Sequence, residues 1–268
     1  MMSTPEQEKE QLLHKAVRSN DQEMVDKLLN DGVDTDCLFY GWTPLMVAVK
    51  SGHSNLAVWL IERGSNVNFK DSSDITILEE ATRRCECDTT VVEALLKTNC
   101  QPDAEFSDGE TPLTVAAEKN KTDLTKILLE GGADVNKPNS KGETPAYVCC
   151  RRDSKEVLKI LIDNRADVNI GCEGERSLTP LMKCVLLDNH ELARMIMRSK
   201  CDMNAMDKSG WSALWYAVVE GSTDLVKVLV KGGADVNFRD SAGRTALDFV
   251  KEIHDDDMIE TLMMVGGL

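Results

Sequence analysis

The sequence predicts an all-α fold, a solenoid of stacked helix-turn-helix units with β-turn or hairpin fingers. Two phrases predict it, because each returns about every 33 residues along the chain of 268 residues. The first phrase, Thr-Pro-Leu or a variant, starts at Thr43, Thr76, Thr111, Thr144, Thr179, Ser212 and Thr245. The second, Gly-Ala-Asp-Val-Asn or a variant, starts at Gly64, Gly132, Arg165 and Gly233. A fixed period of this length indicates one supersecondary unit stacked on copies of itself.

Each unit is predicted to begin with a short helix. In the second unit, Thr43 can cap the backbone N–H groups, and Pro44 suits the first helical position, whose N–H is unpaired anyway. The apolar residues 45–49 then give a helix of barely two turns, which Gly52 ends. Helices this short are unstable alone, so stacking must supply the burial.

A second helix and a turn complete the unit. Apolar residues within 56–61 predict the helix, and Gly64 closes it, because a left-handed cap favours a residue without Cβ. The Asn66 and Asn68 side chains, and the Asp-Gly or Ser-Gly pairs before several of the Thr positions, are typical of turns. Helices and turns therefore alternate throughout the chain.

These residues resemble the ankyrin repeat, whose pattern is a β-turn finger, Thr-Pro-Leu-His-x-Ala, a glycine, a second helix and Gly-Ala-Asp-Val-Asn. The resemblance runs from about Leu12 to Leu262 and covers seven or eight consecutive units. It implies a single ankyrin-repeat domain over residues 11–268, after a flexible N-terminal segment at 1–10. The expected repeats are 11–36, 37–69, 70–104, 105–137, 138–172, 173–205, 206–238 and 239–268.

Two departures from the pattern are insertions. The third repeat carries two extra residues near 83–88, and the loop 170–177 carries two more, which predicts a longer finger before Thr179. Insertions on one face of a solenoid often mark the binding face, although neutral drift also produces them. The segment 40–46, with the irregular third repeat, is also similar to a branch of the family in which SAM and leucine-zipper segments follow the repeats; the later repeats match that branch poorly.

Charge and hydropathy exclude several classes of function. The net charge of −15 argues against a general nucleic-acid or anionic-membrane binder, since both need positive potential. No apolar run approaches the roughly 20 residues that span a bilayer, and the N-terminus lacks the features of a signal peptide. We expect a monomer in the cytoplasm, with the nucleus as a second location.

The nine cysteines do not predict a disulfide framework. Five take positions where the repeat places a small residue, a role that free cysteine fills well; they are Cys100, Cys149, Cys150, Cys184 and Cys201. An odd count without a secretion signal fits a reducing compartment. Cys85 and Cys87 have the look of metal ligands, but no second pair with zinc-finger spacing accompanies them, so no metal is predicted.

The sequence does not predict an enzyme. It lacks a phosphate-binding Gly-Lys-Ser/Thr loop, a Gly-x-Ser-x-Gly elbow and a His-Glu-x-x-His motif, and no cofactor is expected. The preferred function is a non-catalytic interaction module: an adaptor, scaffold or inhibitor that binds another protein or peptide. The alternative is a substrate-recognition subunit, or a fragment of one, of a ubiquitin ligase; in such proteins a SOCS box or F-box follows the repeats.

The resemblance places the partner on the concave surface, formed by finger tips and the exposed ends of the first helices. The expected partner-binding residues are Phe39, Tyr40, Trp42, Lys50, Arg83, Arg84, Lys119, Tyr147, Arg151, Arg152, Leu187, Trp211 and Trp215. Basic residues outnumber acidic ones at these positions, and Trp, Tyr and Arg dominate interface hot spots. Each tryptophan has a structural alternative, namely shielding a finger or packing between repeats. The alternative for the paired arginines is that they are solvated helix ends.

We therefore expect an extended or helical segment with acidic residues and an apolar anchor to lie along the second to fifth repeats. Arg84 and Arg151 would bind its carboxylates and Trp42 and Tyr40 its anchor, with a second aromatic patch at the seventh repeat. The resemblance also implies asparaginyl hydroxylation at Asn68, Asn136, Asn169 and Asn237. The alternative is that each of these asparagines closes its own turn.

Overall fold

A computed structural model describes residues 4–84 and 88–266. Over these residues the chain forms sixteen α-helices, and its extended pairing is confined to four isolated antiparallel bridges. The all-α prediction is therefore confirmed. Cys85 and Cys87, considered above as metal ligands, lie outside the described residues, as does part of the first insertion.

The chain divides into two compact bodies, and each is described by itself. The N-terminal body is Met1–Ala116 with Lys121–Asp134, and the C-terminal body is Ala117–Asn120 with Val135–Leu268. The helices of repeats one to four are α1 Pro5–Arg18, α2 Gln22–Asn30, α3 Pro44–Lys50, α4 Ser54–Glu62, α5 Ile77–Arg84, α6 Thr90–Leu96, α7 Pro112–Glu118 and α8 Thr122–Glu130. Those of repeats five to eight are α9 Pro145–Arg152, α10 Lys155–Asp163, α11 Pro180–Leu186, α12 His190–Met197, α13 Ala213–Val219, α14 Thr223–Lys231, α15 Ala246–Glu252 and α16 Asp256–Gly266.

The Thr-Pro-Leu phrase caps the first helices as predicted. The Thr43 hydroxyl accepts a hydrogen bond from the backbone N–H of Met46 at 3.3 Å, and Pro44 occupies the first turn of α3. The same contact recurs from Thr76, Thr111, Thr144, Thr179, Ser212 and Thr245. This contact satisfies one of the N–H groups left unpaired at a helix start, so the short helices begin at fixed positions.

Part of the segment 1–10, which the sequence predicts to be flexible, is helical. Helix α1 begins at Pro5, because Thr4 and Gln7 form a reciprocal capping box and Glu6 and Glu8 place acidic groups in the first turn. Both features stabilise a helix start. Only the apolar half of the helix, from Leu13, is buried, which is why hydrophobic periodicity missed the first two turns.

Helices from successive repeats pack on one another in each body. First helices contact first helices and second helices contact second helices, as in the pairs α3–α5 and α4–α6. Gly64, with φ of 87°, ends α4, and the N–H of Ser65 returns to the Leu60 carbonyl. The left-handed cap predicted from the glycine is confirmed.

The position where the family pattern has histidine points into the stack. His14 occupies it in the first repeat, and its Nε2 lies 3.0 Å from the Cys37 carbonyl oxygen. Buried residues of other types replace histidine in the next six repeats: Met46, Glu79, Thr114, Tyr147, Met182 and Trp215. Substitution at this slot changes the packing between neighbouring repeats.

Three cysteines that the sequence assigns to small-residue positions are buried, namely Cys149, Cys150 and Cys184. Cys100 and Cys201, assigned to the same role, are half-buried. Seven of the cysteines within the described residues are free thiols. Burial raises the pKa of both Cys100 and Cys201 to about 11.

Candidate interaction surface

Most fingers close with an aspartate or asparagine. In four of them, the side-chain Oδ1 of the first residue accepts the backbone N–H groups two and four positions on. These residues are Asp71, Asn139, Asp207 and Asp240. Because these side chains hold the turn, the tip of each finger presents the residues that follow the aspartate or asparagine.

The second finger is built differently, as a two-residue hairpin. Phe39 and Trp42 exchange both backbone hydrogen bonds, with N···O distances of 3.1 and 3.3 Å. The loop residues Tyr40 and Gly41 have φ of 52° and 77°. Positive φ at both loop positions defines the type I′ hairpin, which ordinarily carries Asn-Gly. A tyrosine therefore occupies a backbone conformation that disfavours it.

An apolar tip results at this finger. Tyr40 is 86% exposed and Leu38 is 58% exposed. The Phe39 ring packs edge-on against Tyr40, with centroids 4.4 Å apart, and lies 5.5 Å from the imidazole of His14. The tip is thus anchored on the first repeat while its outer face is open. Leu38 was missed by the sequence analysis, although its place beside two aromatic residues was visible.

Trp42 and Lys50 lie together behind the tip. The Lys50 ammonium is 4.7 Å from the centre of the Trp42 ring, and it is also 3.5 Å from Asp71 and 3.6 Å from Glu80. Trp42 is half-buried under this contact. Lys50 therefore has carboxylate partners within the chain.

The arginines of the third repeat are also paired. Arg83 Nε lies 3.1 Å from Glu79 Oε1, and Arg83 Nη2 lies 2.6 Å from Asp108 Oδ1. Arg84 pairs with Glu80 one helical turn earlier. Arg83 also stacks on Phe106, 5.4 Å from guanidinium carbon to ring centre, which holds its side chain against the body, whereas the Arg84 side chain is exposed.

The same holds in the fifth repeat. Arg151 makes a two-point contact with Glu143, with Nε–Oε1 of 2.7 Å and Nη2–Oε2 of 3.2 Å. Arg152 pairs with Glu118. Lys119, which follows α7, is exposed.

Five of the expected basic residues therefore have carboxylate partners within the chain, namely Lys50, Arg83, Arg84, Arg151 and Arg152. Sequence counting at finger and helix-end positions missed the carboxylates that lie one turn earlier in the helices or at the finger bases, such as Glu79, Glu80 and Asp71. The two-point contact that we expected Arg151 to make with a partner is already made with Glu143, and Arg84 is already paired with Glu80.

Tyr147 and Trp215 lie inside the C-terminal body. The Tyr147 ring is fully buried, and its hydroxyl donates to Glu175 at 2.8 Å. Trp215 is 3% exposed and packs between Trp211 and Phe249, with ring centroids 6.0 and 5.8 Å away. Both occupy the histidine slot, which explains their burial, and the packing alternative holds for Trp215. We leave both out of the surface.

Two other expected residues remain accessible in this body. Trp211 is half-buried and packs edge-on against Tyr216, with ring centroids 5.3 Å apart. Leu187 is 50% exposed just beyond the end of α11. Apolar surface is thus available at the sixth and seventh repeats.

The asparagines proposed for hydroxylation connect repeats. The Asn136 and Asn169 side-chain carbonyls accept the backbone N–H groups of Asp167 and Asp202 in the next repeat, at 2.8 and 2.7 Å. In the turn before Asn169, it is the Asp167 side chain that closes the turn, by accepting the Asn169 backbone N–H at 2.9 Å. The side chains of Asn136 and Asn169 thus bridge to the next repeat.

The described part of the chain offers no other obvious chemistry. Residues 4–84 and 88–266 contain no grouping of three or more His, Cys, Asp or Glu side chains suited to a metal ion. Within the same ranges, none of the helices combines the length and apolar character that crossing a bilayer requires.

A sequence model of ankyrin repeats matches the chain in three copies, at residues 2–71, 78–172 and 181–266. Because these matches span nearly the whole chain, the protein belongs to the ankyrin-repeat family. Members of this family are generally non-catalytic modules that bind other proteins.

Several similar proteins share the name ankyrin repeat, SAM and basic leucine zipper domain-containing protein 1. The one from Carollia perspicillata is 38% identical over 116 residues, and the one from Mus musculus is 35% identical over 130. The alignments cover 42% and 45% of this chain, and 24% and 26% of those relatives. The chain thus spans about a quarter of the length of these relatives, whose names contain the segments to which the narrower resemblance pointed.

Proposed function

We propose that this chain is a non-catalytic adaptor, scaffold or inhibitor that captures an apolar side chain of a partner protein on its second finger. One observation carries the proposal: Tyr40 is 86% exposed, beside exposed Leu38, in a left-handed backbone conformation. Left-handed backbone costs an ordinary residue about 1–2 kcal/mol. Within the chain the ring packs edge-on against Phe39 but stays 86% exposed, so most of its surface is left for a partner to cover.

The chemistry of the tip favours an apolar anchor. Tyrosine offers a large, rigid surface with a polar end, and it is enriched among the residues that dominate interfaces. The nearest cation, Lys50, is held by Asp71 and Glu80. We therefore revise the expected partner of this body: its contact with the second finger is apolar, and acidic groups are not required there.

The test compares partners captured from cells by the full chain and by a double variant, Leu38→Ser with Tyr40→Asn. The matched control is Ile253→Ser with Met264→Ser, which removes two exposed apolar side chains far along the sequence. We expect the first variant to lose a defined set of partners that the control retains. Retention of every partner by both variants would remove the second finger from the surface.

Three further properties stay proposals with simple checks. We propose that the chain is a monomer of the cytoplasm or nucleus, which light scattering and cell fractionation would test. We also propose that Asn68, Asn136, Asn169 and Asn237 are hydroxylated; Asn68 and Asn237 are the exposed members. Peptides from native material should then show the gain of one oxygen atom, and its absence would exclude the modification.

A further inference from the structure

The sixth finger is lengthened by the second insertion, as the sequence predicts. Cys172 pairs with Leu178, and a short 3-10 turn spans Glu173–Glu175 between them. Arg176 and Ser177 follow with φ of 55° and 63°. Two consecutive residues with side chains in the left-handed region are costly, and such strain is often retained where it positions a functional group.

The strained segment places Arg176 against the seventh finger. Its carbonyl accepts the backbone N–H of Lys208 at 2.8 Å, so two basic residues adjoin at neighbouring tips. Glu173 of the same finger lies against the fifth finger, where its backbone nitrogen is 3.1 Å from the position that a Cβ on Gly142 would take. In the lengthened finger, Arg176 therefore lies next to the seventh finger and Glu173 next to the fifth.

Arg176 and Lys208 differ from the arginines of earlier repeats. Both are exposed, and among the described residues neither has a carboxylate within salt-bridge distance. The Arg176 guanidinium instead meets the Tyr216 hydroxyl, which donates to Asp207 at 2.7 Å. Glu175, the nearest acid along the finger, is taken by Lys183 and Tyr147, each 2.8 Å away.

An apolar ledge lies at the other end of the same two first helices. Leu187 follows α11 and is 50% exposed, and Val219 ends α13 and is 38% exposed. Helices α11 and α13 pack against each other. A helix of seven residues is roughly 10 Å long, so about that distance separates the ledge from the finger side.

We propose that Arg176, Lys208, Leu187 and Val219 form a second docking surface, for a peptide segment of another protein that carries acidic residues followed by an apolar side chain. Charge complementarity selects this occupant and its direction. Acidic groups meet the two free cations at the tips, whereas Asp188 and Glu220 make the ledge end negative and repel them. The inference rests on the proposed role as an interaction module but uses a different body from the second finger.

Peptide selection against the full chain tests this surface without a known partner. A phage library of random 16-residue peptides would be panned on the immobilised protein, and enriched sequences would be synthesised for titration. We expect acidic residues and a Leu, Ile, Met or Phe separated by about three residues if the peptide is extended, or about seven if helical. Raising the salt concentration should weaken binding.

Charge reversal supplies the decisive comparison. Arg176→Glu with Lys208→Glu should weaken binding of the selected peptide about tenfold or more, and Leu187→Ser with Val219→Ser should do likewise. The control, Lys159→Glu with Lys231→Glu, makes the same change in net charge on α10 and α14 and should leave binding within about threefold. Matching melting temperatures would show that all three variants are folded.

The outcomes separate this inference from the proposed function. Peptides that lack acidic residues, that bind the Arg176 and Lys208 variant unchanged, or that fail to be enriched at all would overturn it. Peptides that instead require Leu38 and Tyr40 would overturn it while supporting the second finger. Binding that survives Leu38→Ser with Tyr40→Asn but not charge reversal would establish the second surface independently.

Discussion

At the residue scale, the buried carboxylate of Glu79 joins the third and fourth repeats. Glu79 is 2% exposed and accepts the Ser107 backbone N–H at 3.0 Å and the Ser107 hydroxyl at 2.7 Å. Arg83 supplies the opposite charge at 3.1 Å. The charge of Glu79 is tolerated at this depth because Arg83 and Ser107 both contact it. Removing the acid would leave the two Ser107 donors without their acceptor, whereas Arg83 would keep Asp108.

We expect Glu79→Ala to lower the free energy of unfolding by about 2 kcal/mol, since it leaves the Ser107 backbone N–H and hydroxyl without their acceptor, while Arg83 keeps its contact with Asp108. Urea unfolding followed by circular dichroism would measure the change. Glu80→Ala is the control, because Glu80 also pairs with an arginine but nearer the surface, and should cost below about 1 kcal/mol. Equal losses would contradict a special role for the buried acid.

The thiols of Cys100 and Cys201 should react slowly with alkylating reagents in the native protein. Burial raises the pKa of Cys100 and Cys201 to about 11, so on the order of one thiol in a thousand is ionised at pH 8. We expect alkylation of both to rise with pH and to accelerate in denaturant, as measured peptide by peptide in a mass spectrometer. Fast native labelling of either at pH 8 would contradict the assignment.

Residue identity alone predicted capping well and charge poorly. The cap at Thr43 is local, since its hydroxyl bonds within the next turn. The partners of Arg83 and Arg151 depend instead on which carboxylates the stack brings near, including Asp108 in the next finger. Such pairings are set by packing between repeats, which a single repeat's pattern does not contain.

At the scale of elements, the second finger trades stability for exposure. Its loop is Tyr40-Gly41, in a hairpin type that ordinarily carries Asn-Gly. We expect Tyr40→Asn to raise the free energy of unfolding by about 0.5–1 kcal/mol, because asparagine tolerates the left-handed region better. The same substitution should weaken partner binding.

Thermal unfolding and the capture experiment measure the two effects of Tyr40→Asn separately. Gly41→Ala is the counterpart, since alanine at φ of 77° should destabilise the finger by about 1 kcal/mol while keeping the ring. A destabilising Tyr40→Asn would show that the ring contributes to folding through Phe39. That result would weaken the argument for a binding role.

The elements also show where sequence reasoning stops. The extra residues at 170–177 predicted a longer sixth finger, and the structure contains one. The left-handed conformations of Arg176 and Ser177 were not predictable, because neither residue favours them. They arise from close packing, in which the Gly171 Cα approaches so near the Ser177 carbonyl that a Cβ there would lie 2.3 Å from its oxygen.

At the scale of the whole molecule, several carboxylates link stability to pH. Although burial alone would raise it, the hydrogen bonds from Lys183 and Tyr147 lower the pKa of Glu175 below its ordinary value. At Asp108, too, burial alone would raise the pKa, but the hydrogen bond and positive charge of Arg83 outweigh burial and lower it. At Asp248 the hydrogen bonds from Thr245 lower the pKa directly. Groups of this kind bind protons more readily in the unfolded chain than in the folded one.

The sign of the pH effect follows from these lowered pKa values. Their stabilising contribution is complete above the unfolded values, about 4.3 for glutamate and 3.9 for aspartate, and is lost as the pH falls through the folded values. We therefore expect the melting temperature to decline progressively below about pH 5. Glu175→Gln should flatten this decline, whereas the exposed control Glu173→Gln should not.

Net charge acts in the opposite direction, so the experiment must separate the two effects. At neutral pH the chain carries a formal charge of −15, and protonation on acidification relieves its self-repulsion. That repulsion acts between exposed, distant groups and is largely screened at 0.15 M salt, where the Debye length is about 8 Å. The contacts of Glu175 with Lys183 and Tyr147 are 2.8 Å long and are screened far less. The decline should therefore persist at that salt concentration, and a melting temperature that rises on acidification would show that repulsion dominates.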